Sequence, residues 1–224
     1  MKTLVIIPAY NEEANIFVTV RSVKRHLPDA TILVINDGST DNTMNLASDG
    51  GATVISTEKN RGYGSALKMG YRVAVGCVFD NVLQIDADGQ HDPKYLPVLL
   101  AALKGHDVVI GSRFLGGPTY PIPFFRRQGM RLFSFISSRS GLKITDTTSG
   151  YRAYSARAVL EVLRIPWEYP DVNLLIELHR AGMKIVEVPV KMYANQQGKS
   201  MHSGFEPIKY VATTFLSLLR GRAL

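Results

Sequence analysis

Five short apolar runs, each closing abruptly in polar or glycine-bearing residues, constrain the fold of this chain more than any other feature. They occupy residues 3–8, 31–35, 52–56, 82–85 and 108–110. The stretches between them have helical length and spacing. Residues 11–27 place Ile16, Val20, Val23 and Leu27 on one face. A second helix is expected to run to about residue 48, capped by Ser39 or Thr40, with others over 62–75 and 93–103, the last carrying Pro93 near its start. Strands alternating with helices predict an α/β fold with a mainly parallel central sheet flanked by helices. Open sheets of this kind bind ligands outside the carboxyl ends of their strands. All five ends here carry polar chemistry, at residues 8–12, 36–41, 58–64, 86–91 and 111–113. The chain therefore carries a site along one sheet edge.

The fourth of these ends is the most specific. Asp86-Ala87-Asp88-Gly89-Gln90-His91 follows an apolar run directly. Carboxylates at i and i+2 leave extended backbone on the same side, so Asp86 and Asp88 are expected to face one cation. Hard oxygen ligands suit Mg²⁺ or Mn²⁺, which keep positions open for substrate phosphates. At the first end, Tyr10 can pack on a base or ribose and Glu12 can accept a hydrogen bond. At the second, Asp37 can accept from a nucleobase N–H. Asp41 is expected in the first turn of a helix, opposing its dipole, and outside the site.

At 224 residues with 46% hydrophobic composition, the chain is expected to form a single domain with a sizeable core. The lone Cys77 allows no intramolecular disulfide, and its apolar neighbours predict a buried structural thiol. Trp167 reads as packing. The net charge of +7 points to an anionic partner. The basic residues concentrate after residue 110, whereas the acidic clusters lie before it. Residues 1–113 thus read as a nucleotide and metal half, and residues 114–203 as an anion-binding half. Residues 115–125 read as a loop, 126–139 as an arginine-bearing helix, 170–181 as a helix and 184–188 as a late strand. Residues 204–224 form an expected amphipathic C-terminal helix, striped by Ile208, Val211, Phe215 and Leu218. No run approaches the ~20 apolar residues that span a bilayer.

Five motifs occur in a telling order: Pro8-Ala9-Tyr10-Asn11-Glu12, the run from Asn36 to Asp41, the run from Asp86 to His91, Gly111-Ser112-Arg113 and Thr148-Ser149-Gly150-Tyr151-Arg152. In this the chain resembles family 2 glycosyltransferases, and within them the polyprenyl-phosphate branch typified by dolichyl-phosphate mannose synthases. The resemblance spans about residues 3–155. It implies a GT-A fold, a nucleotide-sugar donor and an inverting, metal-dependent transfer. It also implies that Asp86, Asp88 and Gln90 hold the metal, and that Pro8, Tyr10, Glu12, Asp37, Asp86, Ala87, Asp88 and Gln90 hold the donor. His91 is placed either to touch the sugar or to make a structural hydrogen bond. Arg113, Arg127, Arg131 and Ser149 match the acceptor-phosphate region. Guanidinium forks suit phosphate oxygens, and Arg127 and Arg131 share a helix face.

Relatives acting on hydroxyls carry a Glu-Asp pair where this chain has Ser149-Gly150. A phosphate acceptor is already anionic and needs no general base. The resemblance therefore favours transfer from a GDP-mannose or UDP-glucose type donor to a polyprenyl phosphate, with Asp88, Arg113 and Asp146 as catalytic candidates. A hydroxyl acceptor with Asp146 as base is the alternative enzyme reading. A catalytically silent sugar-nucleotide-binding scaffold is the non-enzymatic one. Near Gly198 the resemblance weakens: Asn195 and Met201 stand where relatives have arginine and lysine, leaving Lys199 and His202 as substitutes. A dehydrogenase is excluded because no GxGxxG follows the first strand, and a nucleic-acid partner is not expected of an acidic cleft. A lipid acceptor implies a cytoplasmic protein peripheral to the membrane, with a separate membrane-anchoring partner as one means of attachment. Oligomeric state is left open.

Overall fold

The computed structural model describes residues 1–115, 134 and 137–193. The expected alternation is present: β1 (Thr3–Ala9), α1 (Ile16–His26), β2 (Thr31–Asn36), α2 (Thr43–Asp49), β3 (Thr53–Ser56), α3 (Tyr63–Gly76) and β4 (Asn81–Gln84). A 3₁₀ turn (Pro93–Tyr95) then leads into α4 (Leu96–Ala102), followed by β5 (Val108–Ser112). Beyond these come β6 (Arg152–Ser155), α5 (Ala156–Arg164), α6 (Val172–Arg180) and β7 (Ile185–Pro189).

The strands form one sheet in the order β3-β2-β1-β4-β6-β5-β7. Pairings are parallel except at β6, which runs antiparallel to both β4 and β5. The other strands therefore end at one common edge, and β6 begins there. The sequence reading did not anticipate β6 or α5. Arg152-Ala153-Tyr154-Ser155 is short and opens on a charged residue, so its apolar pattern is weak. Only a neighbour on each side buries it.

Both faces of the sheet are covered. Leu4, Ile6, Leu33 and Ile35 pack with Leu67 and Tyr71 of α3, Val159 of α5 and Leu174 of α6 on one face. Val5, Ile7 and Val34 pack with Val20 and Val23 of α1 and Leu99 of α4 on the other. This two-sided burial explains why β1 is apolar throughout rather than alternating. Helix α3 lies unusually close to its neighbours: a Cβ on Gly70 would fall 2.7 Å from Ile6, and one on Gly64 would fall 1.9 Å from the Glu168 carbonyl oxygen. Trp167 is 9% exposed within the core and donates to the Val162 carbonyl at 2.8 Å.

Several local expectations are corrected. Cys77 is exposed, because α3 ends at Gly76 and the thiol-bearing residue turns out of the helix. Helix α2 is preceded by Asn42, not capped by Ser39 or Thr40, which are drawn to the loop after β1 instead. Helix α1 begins at Ile16, since residues 11–15 are committed to that same loop. Among the described residues of the expected 126–139 helix, Ser134 and residues 137–139 are helical. The rest of that helix, the 116–125 part of the loop and the C-terminal helix lie outside the described residues.

Candidate active site

The loops leaving β1 and β2 are tied together by side chains. Asn11 sits in the left-handed region at φ 54°, a conformation asparagine tolerates. Its N–H donates to Ser39 Oγ, and its Oδ1 accepts from the Thr40 N–H, both at 2.9 Å. The Glu12 N–H donates to Thr43 Oγ1 at 2.8 Å, and the Glu13 N–H to Asp41 at 3.1 Å. Burial works against ionisation of Asp41, but hydrogen bonds from Thr43 and Glu13 outweigh it and hold the carboxyl below its ordinary value. Asp41 lies two residues before α2, not within its first turn, and belongs to this stitching. Pro8 is buried, while Tyr10 and Glu12 are half-buried along the resulting rim.

Asp37, at the end of β2, is 4% exposed. Its carboxylate accepts from Thr57 Oγ1–H at 3.0 Å, from the Arg61 N–H at 3.0 Å and from the Gly62 N–H at 2.7 Å. The carboxylate expected to meet a nucleobase thus anchors the turn that enters α3.

Strand β4 ends at Gln84, and Ala87 and Asp88 lie in a turn. The simple strand alternation expected for Asp86 and Asp88 therefore does not hold. Asp88 Oδ1 instead accepts from the Gln90 N–H at 3.0 Å, an Asx turn that Gly89 (φ 75°) completes. The two carboxylates still act on each other. Burial and then the charge of Asp86 raise Asp88 above its ordinary value. Burial and then, against an Asn15 hydrogen bond, the charges of Asp88 and Asp86 do the same to Glu12. Glu12, Asp86 and Asp88 thus form one acidic rim, whose mutual repulsion a divalent cation would relieve. Among the described residues, no three His, Cys, Asp or Glu side chains converge to hold a metal alone. Two carboxylates completed by a diphosphate form a donor set that fits Mg²⁺ or Mn²⁺.

His91 is buried, and its Nδ1 accepts the Asp86 N–H at 3.2 Å. Its ring stacks on Tyr151 with centroids 4.9 Å apart. Burial lowers its pKa to about 4 despite the nearby Asp88 carboxylate, so the neutral ring carries its proton on Nε2. This is the structural alternative among its two expected roles.

Arg113 leaves the end of β5 and is 6% exposed. Its Nε donates to Asp146 Oδ2 at 2.7 Å, and its backbone N–H reaches the same oxygen at 3.1 Å. Asp146 is 1% exposed and is held in turn by Glu187 of β7, which accepts the Thr145 and Asp146 N–H groups, each at 2.7 Å. Ser149 is fully buried, with its Oγ accepting the Tyr151 N–H at 3.2 Å. An acidic rim and a buried arginine–carboxylate pair therefore occupy one sheet edge. Such an arrangement can hold a cation with a diphosphate on one side and an anion on the other.

The sequence profile described as Glycosyl transferase family 2 matches residues 4–163. The chain belongs to this family. It is a glycosyltransferase. It is 34% identical to the undecaprenyl-phosphate mannosyltransferase of Micrococcus luteus, over 91% of the chain and 88% of that protein. It is likewise 34% identical to the polyprenol monophosphomannose synthase of Mycolicibacterium smegmatis, over 91% of the chain and 82% of that protein. Among solved structures, glucosyl-3-phosphoglycerate synthase from Mycobacterium tuberculosis, in complex with Mn²⁺, UDP-glucose and phosphoglyceric acid, superposes with a TM-score of 0.75 at 25% identity. That match covers 96% of this chain and 79% of the synthase. The fold is GT-A.

The contacts of three residues of this glycosyltransferase were not legible in the sequence. Tyr63, at the start of α3, donates to Asp86 Oδ1 at 2.8 Å. Gly150 lies against the same carboxylate: a Cβ there would fall 2.7 Å from Asp86 Oδ2 and 2.8 Å from Tyr63 Oη. Glu187 had no local signal, lying within a short late strand. Arg127, Arg131, Lys199 and His202 lie outside the described residues.

Proposed function

We propose that this glycosyltransferase moves a sugar from a nucleoside-diphosphate donor of the GDP-mannose or UDP-glucose type to a polyprenyl phosphate, inverting the anomeric carbon. The observation that supports the acceptor most directly is the state of Asp146. It is almost fully buried and hydrogen-bonded to Arg113, a placement suited to holding that arginine rather than deprotonating a hydroxyl. Gly150 supplies no carboxylate, and a phosphate acceptor needs none.

In this reading Asp86 and Asp88, with Gln90 beside them, hold Mg²⁺ or Mn²⁺. When bound, the cation neutralises the diphosphate and stabilises the charge of the departing nucleotide. Pro8, Tyr10, Glu12, Asp37 and Ala87 line the nucleoside side of the donor site. Arg113, positioned by Asp146, meets the acceptor phosphate, joined by Arg127 and Arg131. An acceptor phosphate oxygen attacks the anomeric carbon from the face opposite the leaving group. One carbon–oxygen bond forms as the bond to the diphosphate breaks, and the nucleoside diphosphate departs with that electron pair. No proton need be removed from the acceptor.

The chain acts as one domain at the cytoplasmic membrane surface. Among the described residues no helix is long and apolar enough to cross a membrane. Attachment is assigned to the segments around residues 126–139 and 204–224, or to a separate anchoring partner.

Incubation with GDP-mannose or UDP-glucose, Mn²⁺ and a short polyprenyl phosphate is expected to yield the glycosylated lipid with inverted configuration. Transfer only to a hydroxyl acceptor such as phosphoglyceric acid would overturn the lipid-phosphate reading. Retained anomeric configuration would overturn the single displacement.

A further inference from the structure

Behind the acidic rim runs a buried polar chain. Gln84, the last residue of β4, is fully buried and faces Arg152 of β6 in register. Arg152 is also fully buried and donates from Nε to the Ser149 carbonyl at 2.7 Å and from Nη2 to the Thr147 carbonyl at 3.0 Å. Its Nη1 reaches Tyr154 Oη at 3.5 Å. The ring of Tyr154 meets that of Tyr71 edge-on with centroids 5.6 Å apart. Tyr71 donates to Gln84 Oε1 at 2.5 Å, and Gln84 Nε2 donates to Tyr63 Oη at 2.8 Å. Tyr63 finally donates to Asp86 Oδ1 at 2.8 Å.

The direction of the chain from Tyr71 to Asp86 is set by its carboxylate end. An ionised carboxylate accepts only. A hydroxyl has one proton, so a tyrosine that accepts from one side must donate on the other. Tyr71 occupies Gln84 Oε1, which turns the amide nitrogen toward Tyr63. Tyr63 accepts there, and its single proton is directed to Asp86.

We propose that Tyr63 is a positioning residue: its hydroxyl, oriented through Gln84 and Tyr71, fixes the Asp86 carboxylate in the orientation that the divalent cation requires. Gly150 is the complement of this arrangement, because a side chain there would occupy the space of the Tyr63–Asp86 contact. The inference rests on the metal reading given above. It assigns the buried tyrosines to site geometry as well as to the core.

The test is Mn²⁺ binding to the full chain in the presence of GDP or UDP, followed by the electron paramagnetic resonance signal of free Mn²⁺. Tyr63→Phe is expected to weaken binding about tenfold or more, the usual cost of losing a group that orients a metal ligand. Added Mn²⁺ should restore most of its turnover, raising the metal requirement without a matching loss in kcat. Tyr71→Phe should act in the same direction, less strongly. Asp88→Asn separates the two readings. If Asp88→Asn loses binding while Tyr63→Phe binds as the wild type does, the positioning role fails and the metal site stands. If Asp88→Asn binds Mn²⁺ normally, the metal site itself fails. Should Tyr63→Phe not fold, unchanged Mn²⁺ affinity in Tyr71→Phe overturns the proposal.

Discussion

At the scale of single residues, burial decides what each ionisable group can do. Asp146 illustrates this, since the sequence permits it to be either a base or a support, and its 1% exposure beside Arg113 favours support. Removing one member of a buried ion pair characteristically costs about 3–5 kcal/mol. Asp146→Asn is therefore expected to lose stability of that order in urea unfolding. A full-strength fold with abolished turnover would instead identify a base. His91 carries a pH dependence with a definite sign. Its folded pKa of about 4 lies below the ordinary value of 6.5, so the unfolded chain binds the proton first as pH falls. The stability it contributes above pH 6.5 is lost progressively down to about pH 4. Between pH 7 and 5 the linkage amounts to about 2 kcal/mol. His91→Phe keeps an aromatic ring against Tyr151 and loses the imidazole, so urea unfolding of the metal-free variant should show a shallower decline over that interval. An equal slope in variant and wild type would refute the assignment.

At the scale of elements, close approach matters more than propensity. Helix α3 is expected from the sequence over residues 62–75, a span that includes Gly64. The reason for Gly64 is visible only when the segment before α6 is laid against it, where an added Cβ would meet the Glu168 carbonyl at 1.9 Å. A backbone obstacle cannot rotate away. Gly64→Ala is thus expected to cost about 3 kcal/mol, at the upper end for overpacking, despite alanine's better helix propensity. A variant with an unchanged or raised melting temperature would show that α3 can shift. The same scale explains the element the sequence hid. Strand β6 has neither length nor clean periodicity, and it exists because β4 and β5 offer it an edge on each side. Its reversed direction brings Ser149, Gly150 and Arg152 to the edge where the parallel strands end.

For the whole molecule, the acidic rim is expected to couple stability to a bound cation and nucleotide. Glu12 and Asp88 are raised by burial and by neighbouring carboxylates, so the rim carries a repulsion that a bound cation would relieve. Asp88→Asn should stabilise the metal-free protein by on the order of 1–2 kcal/mol, the size of a like-charge interaction between partly solvated groups. Mn²⁺ with UDP or GDP should stabilise the wild type by about 2.7 kcal/mol at a hundred times the dissociation constant, and this gain should vanish in Asp88→Asn. Thermal unfolding of both proteins with and without Mn²⁺ and nucleotide checks the pair of expectations. A metal-dependent rise that persists in the variant would move the site elsewhere. The alternation of apolar runs and helical stretches, the loaded strand ends and the ordered motifs were all legible in the chain itself, because periodicity and turn chemistry are local properties. They determined an α/β glycosyltransferase and pointed to a site along one sheet edge. Only the tertiary structure decided that Asp37 anchors a loop, that Asp146 is spent on Arg113, and that Tyr63 and Gly150 meet at Asp86. Those facts depend on contacts between residues far apart in sequence, where burial and proximity, invisible along the chain, set each group's partner.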